Sequence, residues 1–402
     1  MKPIKIRSGV FWVGVNDRVT ERFEGLWPIS EEGISYNAYL ILDQKKAIVD
    51  LSKEMLSDDF LTQLGEVFDI ADLDYVIINH MEPDHSGALT QLLNLAPDVT
   101  ILGMPKAAQM LKDFYGITEN VERLSNGQEL SLGKNTLRFV YTPFVHWPET
   151  MMTYMVEEGI LFPCDGFGSY GALDGAIFDD TCRDIDFYEG EALRYFTNIV
   201  APFSKSLLSA ISKFADTPIK IVAPSHGLVW RENPGRIIEL YSRWSGYYKN
   251  QAEVGVTALF GTMYRNTEHA MNAVLEGIAS ESVPVRVYDV RKIHTSYILP
   301  DLWTQTGVLV AAPTYEGSIF PDMMNVLMMA DLKRVGHKKA AYIGSYAWSG
   351  GAQKEFERMA EKMKWDVVNS IGFIGGPSKT DLDRARELGV QLAQQVKIGS
   401  DA

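Results

Sequence analysis

From residue 254 onward, short apolar runs alternate regularly with segments whose apolar residues recur at helical spacing. The strand-like runs are 254–260, 283–289, 307–312, 339–343 and 367–371. The helix-like segments are 267–279, 296–305, 322–331, 353–363 and 379–396. Strands that alternate with helices in this way are typical of a doubly wound parallel sheet. We therefore predict an α/β fold of this kind for the carboxyl-terminal part of the chain.

The first part of the chain has a different pattern, in which apolar runs end near histidine or acidic residues. Strand-like runs occupy 75–78, 137–141, 159–164 and 219–223. Apolar positions at helical spacing over 234–247 predict the last helix of this part, and a polar link follows at 249–253. We place the domain boundary in that link, which gives domains 1–250 and 251–402.

Side chains of metal-ligating type lie just beyond those runs: His80, Glu82, Asp84, His85, His146, Asp165 and His226. Because the carboxyl ends of strands commonly bind ligands in α/β proteins, one sheet edge can bring these residues together. Four imidazoles and three carboxylates suffice for two metal ions that share one carboxylate. The chain has seven histidines, and four of them belong to this set. Separate core or capping histidines do not explain so regular a placement.

The ligand types favour iron over zinc. Zinc exceeds ferrous iron in affinity for most nitrogen and oxygen sites, so selection depends on ligand type and metal supply. Three carboxylates in the set make it rich in oxygen, and mixed imidazole and carboxylate ligation with open positions suits non-haem iron. Cys164 adjoins Asp165, but the alternation of side chains along a strand predicts that its thiol faces away.

Three loops that follow predicted strands of the second domain carry residues suited to a flavin nucleotide. In the first loop, hydroxyl and amide groups and backbone N–H groups at a helix start can cradle a phosphate. In the other two, small residues let the backbone approach a flavin ring, and aromatic side chains can stack on it. The candidates are Thr262, Met263, Tyr264, Arg265, Asn266, Thr267, Pro313, Thr314, Tyr315, Glu316, Gly317, Ser345, Tyr346, Ala347, Trp348, Ser349 and Gly350. A GxGxxG fingerprint is absent from the sequence, so a nicotinamide site is not predicted.

In these motifs the chain resembles the flavodiiron proteins, also called A-type flavoproteins, over nearly its whole length. The resemblance implies an amino-terminal metallo-β-lactamase-like αββα diiron domain (1–250) and a carboxyl-terminal flavodoxin-like doubly wound parallel sheet that binds FMN (251–402). It also implies the ligand sets: His80, Glu82 and His146 for one iron, Asp84, His85 and His226 for the other, and Asp165 as the bridge.

The resemblance further implies a function, which is the reduction of dioxygen to water, of nitric oxide to nitrous oxide, or of both. Electrons would pass through FMN to the two iron ions from a donor such as rubredoxin or reduced deazaflavin. A head-to-tail homodimer is also implied. Arg265 and the Glu316-Gly317 pair depart from the family pattern, which affects the expected ring contacts and not the fold.

Composition narrows the partners and the location. The formal net charge of −14 disfavours binding to nucleic acid or to an anionic membrane. Two cysteines without a CxxC spacing argue against a disulfide framework and against a built-in rubredoxin-type iron site. The sequence has no signal-peptide core and no apolar stretch of about 18 residues, so we expect a cytoplasmic protein.

Two alternatives stay open on the sequence alone. A dizinc hydrolase of the metallo-β-lactamase fold with an accessory flavodoxin domain predicts zinc in the isolated protein and turnover of a lactam, ester or thioester. A non-catalytic electron carrier with a structural metal site predicts a yellow protein that consumes no gas. The sequence does not rank dioxygen against nitric oxide.

Overall fold

The computed structural model describes residues 2–249 and 252–399. The chain divides into two compact units, Met1–Ser245 and Gly246–Ala402. Residues 250 and 251, where the predicted domain boundary falls, lie outside the described part, so the domain limits stay a prediction.

The first unit is built from two larger sheets, several short strand pairs and helices. Its strands are β1 (Ile4–Arg7), β2 (Val10–Trp12), β3 (Val15–Asp17), β4 (Arg22–Phe23), β5 (Trp27–Pro28), β6 (Ile34–Tyr36), β7 (Tyr39–Leu42), β8 (Lys46–Val49), β9 (Tyr75–Ile77), β10 (Thr100–Gly103), β11 (Val121–Arg123), β12 (Glu129–Ser131), β13 (Thr136–Tyr141), β14 (Met151–Met155), β15 (Ile160–Phe162) and β16 (Ile221–Val222). Its helices are α1 (Ser57–Gly65), α2 (Pro83–Ser86), α3 (Leu89–Leu95), α4 (Pro105–Tyr115), α5 (Ile185–Tyr195), α6 (Ser204–Ser212) and α7 (Pro234–Gly246).

Strand order explains why distant parts of the first unit meet. One sheet has the order β1-β2-β7-β8-β9-β10-β11, and the other has the order β12-β13-β14-β15-β16. Strands β15 and β16 are parallel neighbours, so the segments that follow them leave the sheet at the same edge. The loop after β9 is tied to the second sheet, because the Met151 backbone N–H donates to the Asn79 carbonyl at 3.0 Å.

The second unit alternates strands and helices, as the sequence predicts. Its strands are β17 (Glu253–Phe260), β18 (Val285–Asp289), β19 (Gln305–Ala311), β20 (Thr314–Tyr315), β21 (Ser318–Ile319), β22 (Lys339–Tyr346) and β23 (Asp366–Ile374). Its helices are α8 (Asn266–Ser280), α9 (Thr295–Thr304), α10 (Pro321–Leu332), α11 (Ala352–Lys362) and α12 (Lys379–Gly399). The main sheet has the order β18-β17-β19-β22-β23 with parallel pairing throughout. The predicted doubly wound parallel sheet is therefore confirmed.

Two glycines allow α8 and α12 to pack at unusually short distance over this sheet. A Cβ atom at Gly277 would lie 2.1 Å from the Arg386 carbonyl oxygen, and one at Gly389 would lie 2.0 Å from the Val274 carbonyl oxygen. Side chains are therefore excluded at both positions, and the backbones approach directly. Among the described residues, no helix is both long and apolar enough to cross a membrane.

Candidate functional site

The seven predicted ligands come from four separate segments of the first unit. His80 follows β9, and Glu82 directly precedes α2, which carries Asp84 and His85. This helix begins at Pro83, where the fixed φ of proline suits a first helical position. The remaining three, His146, Asp165 and His226, lie in the loops after β13, β15 and β16 respectively.

One group of four side chains surrounds a common point. Glu82 Oε2 lies 3.1 Å from His80 Nε2 and 3.0 Å from His146 Nε2. Asp165 Oδ2 lies 3.4 Å from His80 Nε2 and 3.2 Å from His146 Nε2. One ligand atom from each of the four lies within 4.8 Å of the others, which is the spacing that one metal ion requires.

A second group lies on the other side of Asp165. Asp165 Oδ1 lies 2.9 Å from His85 Nε2 and 3.3 Å from His226 Nε2. Asp84 approaches the same two imidazoles, with its oxygens 3.4 Å from His85 Nε2 and 3.4 Å from His226 Nε2. The two oxygens of Asp165 therefore face different groups, as a bridging carboxylate does.

The hydrogen bonds of these side chains show that something is needed to complete the cluster. Both oxygens of Asp84, both ring nitrogens of His85, Asp165 Oδ1 and His226 Nε2 are buried and lack a hydrogen-bond partner of acceptable geometry. A buried polar atom without a partner costs about 1–3 kcal/mol, and more when it is charged. Carboxylate oxygens and imidazole nitrogens are ligands for divalent metals, so two cations fit this cluster and would satisfy these atoms.

Without a metal, three of the imidazoles, those of His80, His146 and His226, bind protons strongly. Burial lowers the pKa of His226, but the carboxylates of Asp165 and Asp84 outweigh burial and raise it to about 10. The same balance, with Asp165 and Glu82 as neighbours, raises the pKa of His146 to about 9. Burial also opposes protonation of His80, yet Glu149 and Glu82 raise its pKa well above the usual value.

The carboxylates of the cluster shift in the opposite sense. Burial raises the pKa of Glu82, but hydrogen bonds with His146 and His80 more than compensate and hold it well below its usual value. Asp165 is likewise opposed by burial, and His85, His146 and His226 together hold its pKa far below the usual range. In the metal-free protein, the protonated imidazoles of His80, His146 and His226 are therefore paired with the charged carboxylates of Glu82 and Asp165.

Outer contacts of the ligands were not predicted from the sequence. Glu149 Oε1 accepts from His80 Nδ1 at 2.7 Å, and the Ser35 carbonyl accepts from His226 Nδ1 at 2.7 Å. Glu149 lies three residues after His146. A carboxylate among large apolar residues, so close to a predicted ligand, could have indicated a role near the metal site. The contact with Ser35 uses only the backbone, which leaves no signature in the sequence.

Cys164 lies closer to the cluster than the sequence predicted. Its sulfur is within 4.8 Å of ligand atoms of His85 and Asp165, so the expected separation is wrong. Strand β15 ends at Phe162, and Cys164 has a φ of 52°, so strict alternation does not extend to this residue. Burial raises the pKa of the thiol well above its usual value, which keeps the sulfur protonated.

A cavity of about 260 Å³ lies against the cluster within the first unit. Its walls are formed by Arg22, Phe23, Glu24, Gly25, Tyr36, Lys53, Glu82, Pro83 and Asp84. Because Glu82 and Asp84 belong to different ligand groups, the cavity reaches both. It is large enough for a diatomic gas and a few water molecules.

The candidate flavin loops of the second unit follow β17, β19 and β22, which are neighbours in the sheet. The first six candidates, 262–267, lie between β17 and the first turn of α8. Candidates 313–317 comprise Pro313, strand β20 and the turn before β21, and candidates 345–350 begin at the end of β22. The three loops therefore leave the sheet at one edge, as predicted.

The start of α8 fits a phosphate group. Arg265 occupies its N-cap position with a left-handed φ of 69°, and no side chain caps the helix there. The first N–H groups of a helix have no intrahelical partner, so an uncapped start is an anion site. The Thr262 hydroxyl shapes this loop, because it accepts the Arg265 backbone N–H at 3.0 Å.

The aromatic candidates for contacts with the flavin ring are exposed to solvent in the described part of the chain. Trp348 and Tyr264 are 92% and 84% exposed, and Tyr315 is partly exposed. The Thr314 hydroxyl accepts the backbone N–H groups of Gly351 and Ala352, so it fixes one ring loop to the other. That these residues contact a flavin stays a prediction.

Comparison with known proteins gives the evolutionary context. Residues 34–227 match the family model described as ODP family beta lactamase. A nitric oxide reductase of Moorella thermoacetica is 33% identical over 400 residues, which cover 98% of this chain and 99% of that relative. The rubredoxin oxygen:oxidoreductase of Desulfovibrio gigas superposes with a TM-score of 0.95 at 25% identity and full coverage of both chains. The flavodiiron protein of Giardia intestinalis gives a TM-score of 0.95 at 26% identity, covering 100% of this chain and 98% of that one.

These similarities extend through both units and confirm the predicted fold class, a metallo-β-lactamase-like domain followed by a flavodoxin-like domain. They do not favour a hydrolase, since the full-length relatives are oxidoreductases. Because the chain is more than 30% identical to a relative over nearly the whole length of both, we conclude that it belongs to the flavodiiron protein family.

Proposed function

We propose that this oxidoreductase reduces dioxygen, nitric oxide or both, with electrons that pass through FMN to a non-haem diiron site. One observation carries the proposal. The two oxygens of the buried Asp165 carboxylate face two separate groups of imidazoles and carboxylates, and several atoms of those groups lack any hydrogen-bond partner. A hydrolytic role alone would not call for a flavin-type domain in the same chain.

The proposed ligand sets follow the two groups. His80, Glu82 and His146 would hold one iron, Asp84, His85 and His226 the other, and Asp165 would bridge. FMN is proposed at the loops 262–267, 313–317 and 345–350, with its phosphate at the uncapped start of α8. When bound, two ferrous ions and a reduced flavin would together supply the four electrons that dioxygen reduction to water requires, or the two that reduction of a nitric oxide pair requires.

The chain itself contributes orientation, exclusion of water and access. Ser35 and Glu149 fix two imidazole rings through their Nδ1 atoms, so that each Nε2 faces the carboxylates. Aromatic rings pack on the imidazoles, with Trp147 5.1 Å from His80 and Phe23 5.5 Å from His226 between ring centroids. The cavity of about 260 Å³ beside Glu82 and Asp84 gives small molecules access to the cluster.

The test is metal and flavin analysis of anaerobically purified protein, followed by gas consumption after chemical reduction. We expect about two irons per chain, FMN released by heat, and consumption of dioxygen without free peroxide or conversion of nitric oxide to nitrous oxide. The His146→Ala variant removes a ligand imidazole and should lose both metal and activity. Protein that contains only zinc and hydrolyses a lactam or thioester would contradict the proposal, and so would a yellow iron protein that consumes neither gas.

Electron donor and assembly are part of the same proposal. A rubredoxin is the proposed donor, on the strength of the rubredoxin named for a structural neighbour, and reduced deazaflavin is the alternative. A head-to-tail homodimer would place the flavin of one subunit beside the metals of the other. Mixing a metal-free variant (His80→Ala with Asp84→Ala) with a flavin-free variant should restore activity if subunits exchange. Exchanged mixtures that stay inactive would refute the arrangement. A cytoplasmic location also stays a prediction.

A further inference from the structure

Glu149 is a buried carboxylate that touches the metal cluster but lies outside the seven predicted ligands. Its side chain is fully buried, and Oε1 accepts two hydrogen bonds, from His80 Nδ1 at 2.7 Å and from the Met81 backbone N–H at 3.0 Å. Its other oxygen, Oε2, is buried without a hydrogen-bond partner. A buried carboxylate held in this way must have its charge compensated from nearby.

The hydrogen bond from His80 sets the chemistry of that ring. Because a carboxylate can only accept, Nδ1 keeps its proton, and Nε2 is the nitrogen that would give up its proton and offer a lone pair to a metal beside Glu82 and Asp165. A carboxylate that accepts from a ligand imidazole also makes the imidazole a stronger donor to the metal.

The other imidazoles lack this support. His226 Nδ1 donates to a neutral carbonyl, that of Ser35, and His85 Nδ1 has no partner. Within residues 2–249 and 252–399, no carboxylate is hydrogen-bonded to Nδ1 of His85, His146 or His226. The two groups therefore differ: only the group of His80 and His146 contains an imidazole backed by a negative charge.

Charge balance points the same way. The ligand carboxylates Glu82, Asp84 and Asp165 carry three negative charges, one fewer than the four positive charges of two divalent cations. Glu149 supplies the fourth charge through a hydrogen bond to a ligand.

We infer that Glu149 is a positioning residue that fixes the tautomer of His80 and makes the metal position at His80 and His146 the more electron-rich of the two. It does not ligate the metal and does not touch the substrate. The inference rests on the proposed metal site but not on the identity of the gas.

The experiment compares Glu149→Gln and Glu149→Ala in the full-length protein, with Glu157→Gln as the control. Glu157 is an exposed carboxylate that accepts a backbone N–H from Thr136 at 2.7 Å, away from the cluster. Glu149→Gln keeps the shape and an acceptor oxygen but removes the charge, whereas Glu149→Ala removes both. Far-ultraviolet circular dichroism of each metal-free variant checks that it folds.

Metal retention and redox potential are the two measurements. Glu149→Ala should weaken metal affinity by about 10–100-fold, as is usual for the loss of an outer partner of a ligand imidazole. Glu149→Gln should keep two metals and raise the midpoint potential of one iron, while the potential of the other iron stays unchanged. Electron paramagnetic resonance of the mixed-valent state monitors these potentials. The Glu157→Gln control should match the parent in both. A Glu149→Gln protein that matches the parent in both potential and metal affinity would overturn the inference.

The affinity measurement is repeated with zinc, so that the inference does not depend on the reductase function. If the parent protein reduces neither gas but Glu149→Ala still loses zinc affinity, the proposed function fails and the role of Glu149 stands. If zinc and iron affinity are both unchanged in Glu149→Ala, the role of Glu149 is refuted whatever the parent protein catalyses.

Discussion

Loading metal into the metal-free protein should release about three protons at pH 7. The three imidazoles with raised pKa values are His80, His146 and His226, and two of these values are about 9 and about 10. All three are therefore fully protonated at pH 7 before a metal binds, and a metal ligand must be deprotonated. With ordinary pKa values near 6.5, the same three rings would release only about 0.7 proton together. Glu82 and Asp165 add nothing, since both are already charged.

The assay is isothermal titration calorimetry of the metal-free protein in buffers of different ionisation enthalpy, which counts the protons. As pH rises from 7 to 9, apparent metal affinity should increase about tenfold per unit for each proton released. Because these folded-state pKa values are raised, their contribution to the stability of the metal-free protein is complete below about pH 6.5 and is lost as pH rises through 9 to 10. The control His337→Asn changes an exposed histidine at a left-handed φ that asparagine tolerates, and it should leave the count unchanged. A release of one proton or fewer would show that the carboxylates do not hold these imidazoles protonated.

Three further predictions concern the second unit. Burial lowers the pKa of Lys338 to about 7, so its charge destabilises the folded state at neutral pH. Relative to Lys338→Met, the parent's unfolding free energy should rise by about 4 kcal/mol between pH 7 and pH 10.5. Denaturant unfolding at each pH measures the free energy. The control Lys354→Met, at an exposed position, should keep the parent's dependence of stability on pH. A stability difference between the parent and Lys338→Met that does not change with pH would contradict the prediction. Gly389→Ala should lower the unfolding free energy by about 1–3 kcal/mol, because the added Cβ would meet the Val274 carbonyl. Gly190→Ala in α5, where an added Cβ would have no atom within 4 Å, should be neutral or stabilising. Equal effects of the two substitutions would refute the packing argument. Thr267→Val should weaken FMN binding by about 1–3 kcal/mol in a fluorescence titration if the hydroxyl holds the phosphate. The control Thr380→Val in α12 should leave FMN affinity unchanged. Unchanged affinity in Thr267→Val would show that this hydroxyl does not bind the phosphate.

Prediction from the sequence succeeded where a local pattern sets the structure. The strands before His80, His146, Asp165 and His226 are short apolar runs. Such a run can be recognised from its own residues, whatever segments it packs against. The strand and helix alternation of the second unit was likewise confirmed, with the ends of each predicted element within three residues of the structure.

Features that depend on contacts between distant segments were missed. The distance between Glu149 and His80 depends on how the loop before β14 meets the loop after β9, which no local pattern encodes. The position of Cys164 was wrong because β15 ends two residues earlier than the apolar run. The helix that begins at Pro83 has only four residues, which are too few to show helical periodicity in the sequence.

The parallel pairing of β15 with β16 has a consequence for how the protein acquires its metals. Ile160 pairs with Ile221, so this contact closes a loop of about sixty residues and must form before Asp165 and His226 stand side by side. Closing a loop of this length costs entropy, so contacts of such long range slow folding. The metal site around Asp165 and His226 is therefore complete only once this long-range strand pair has formed.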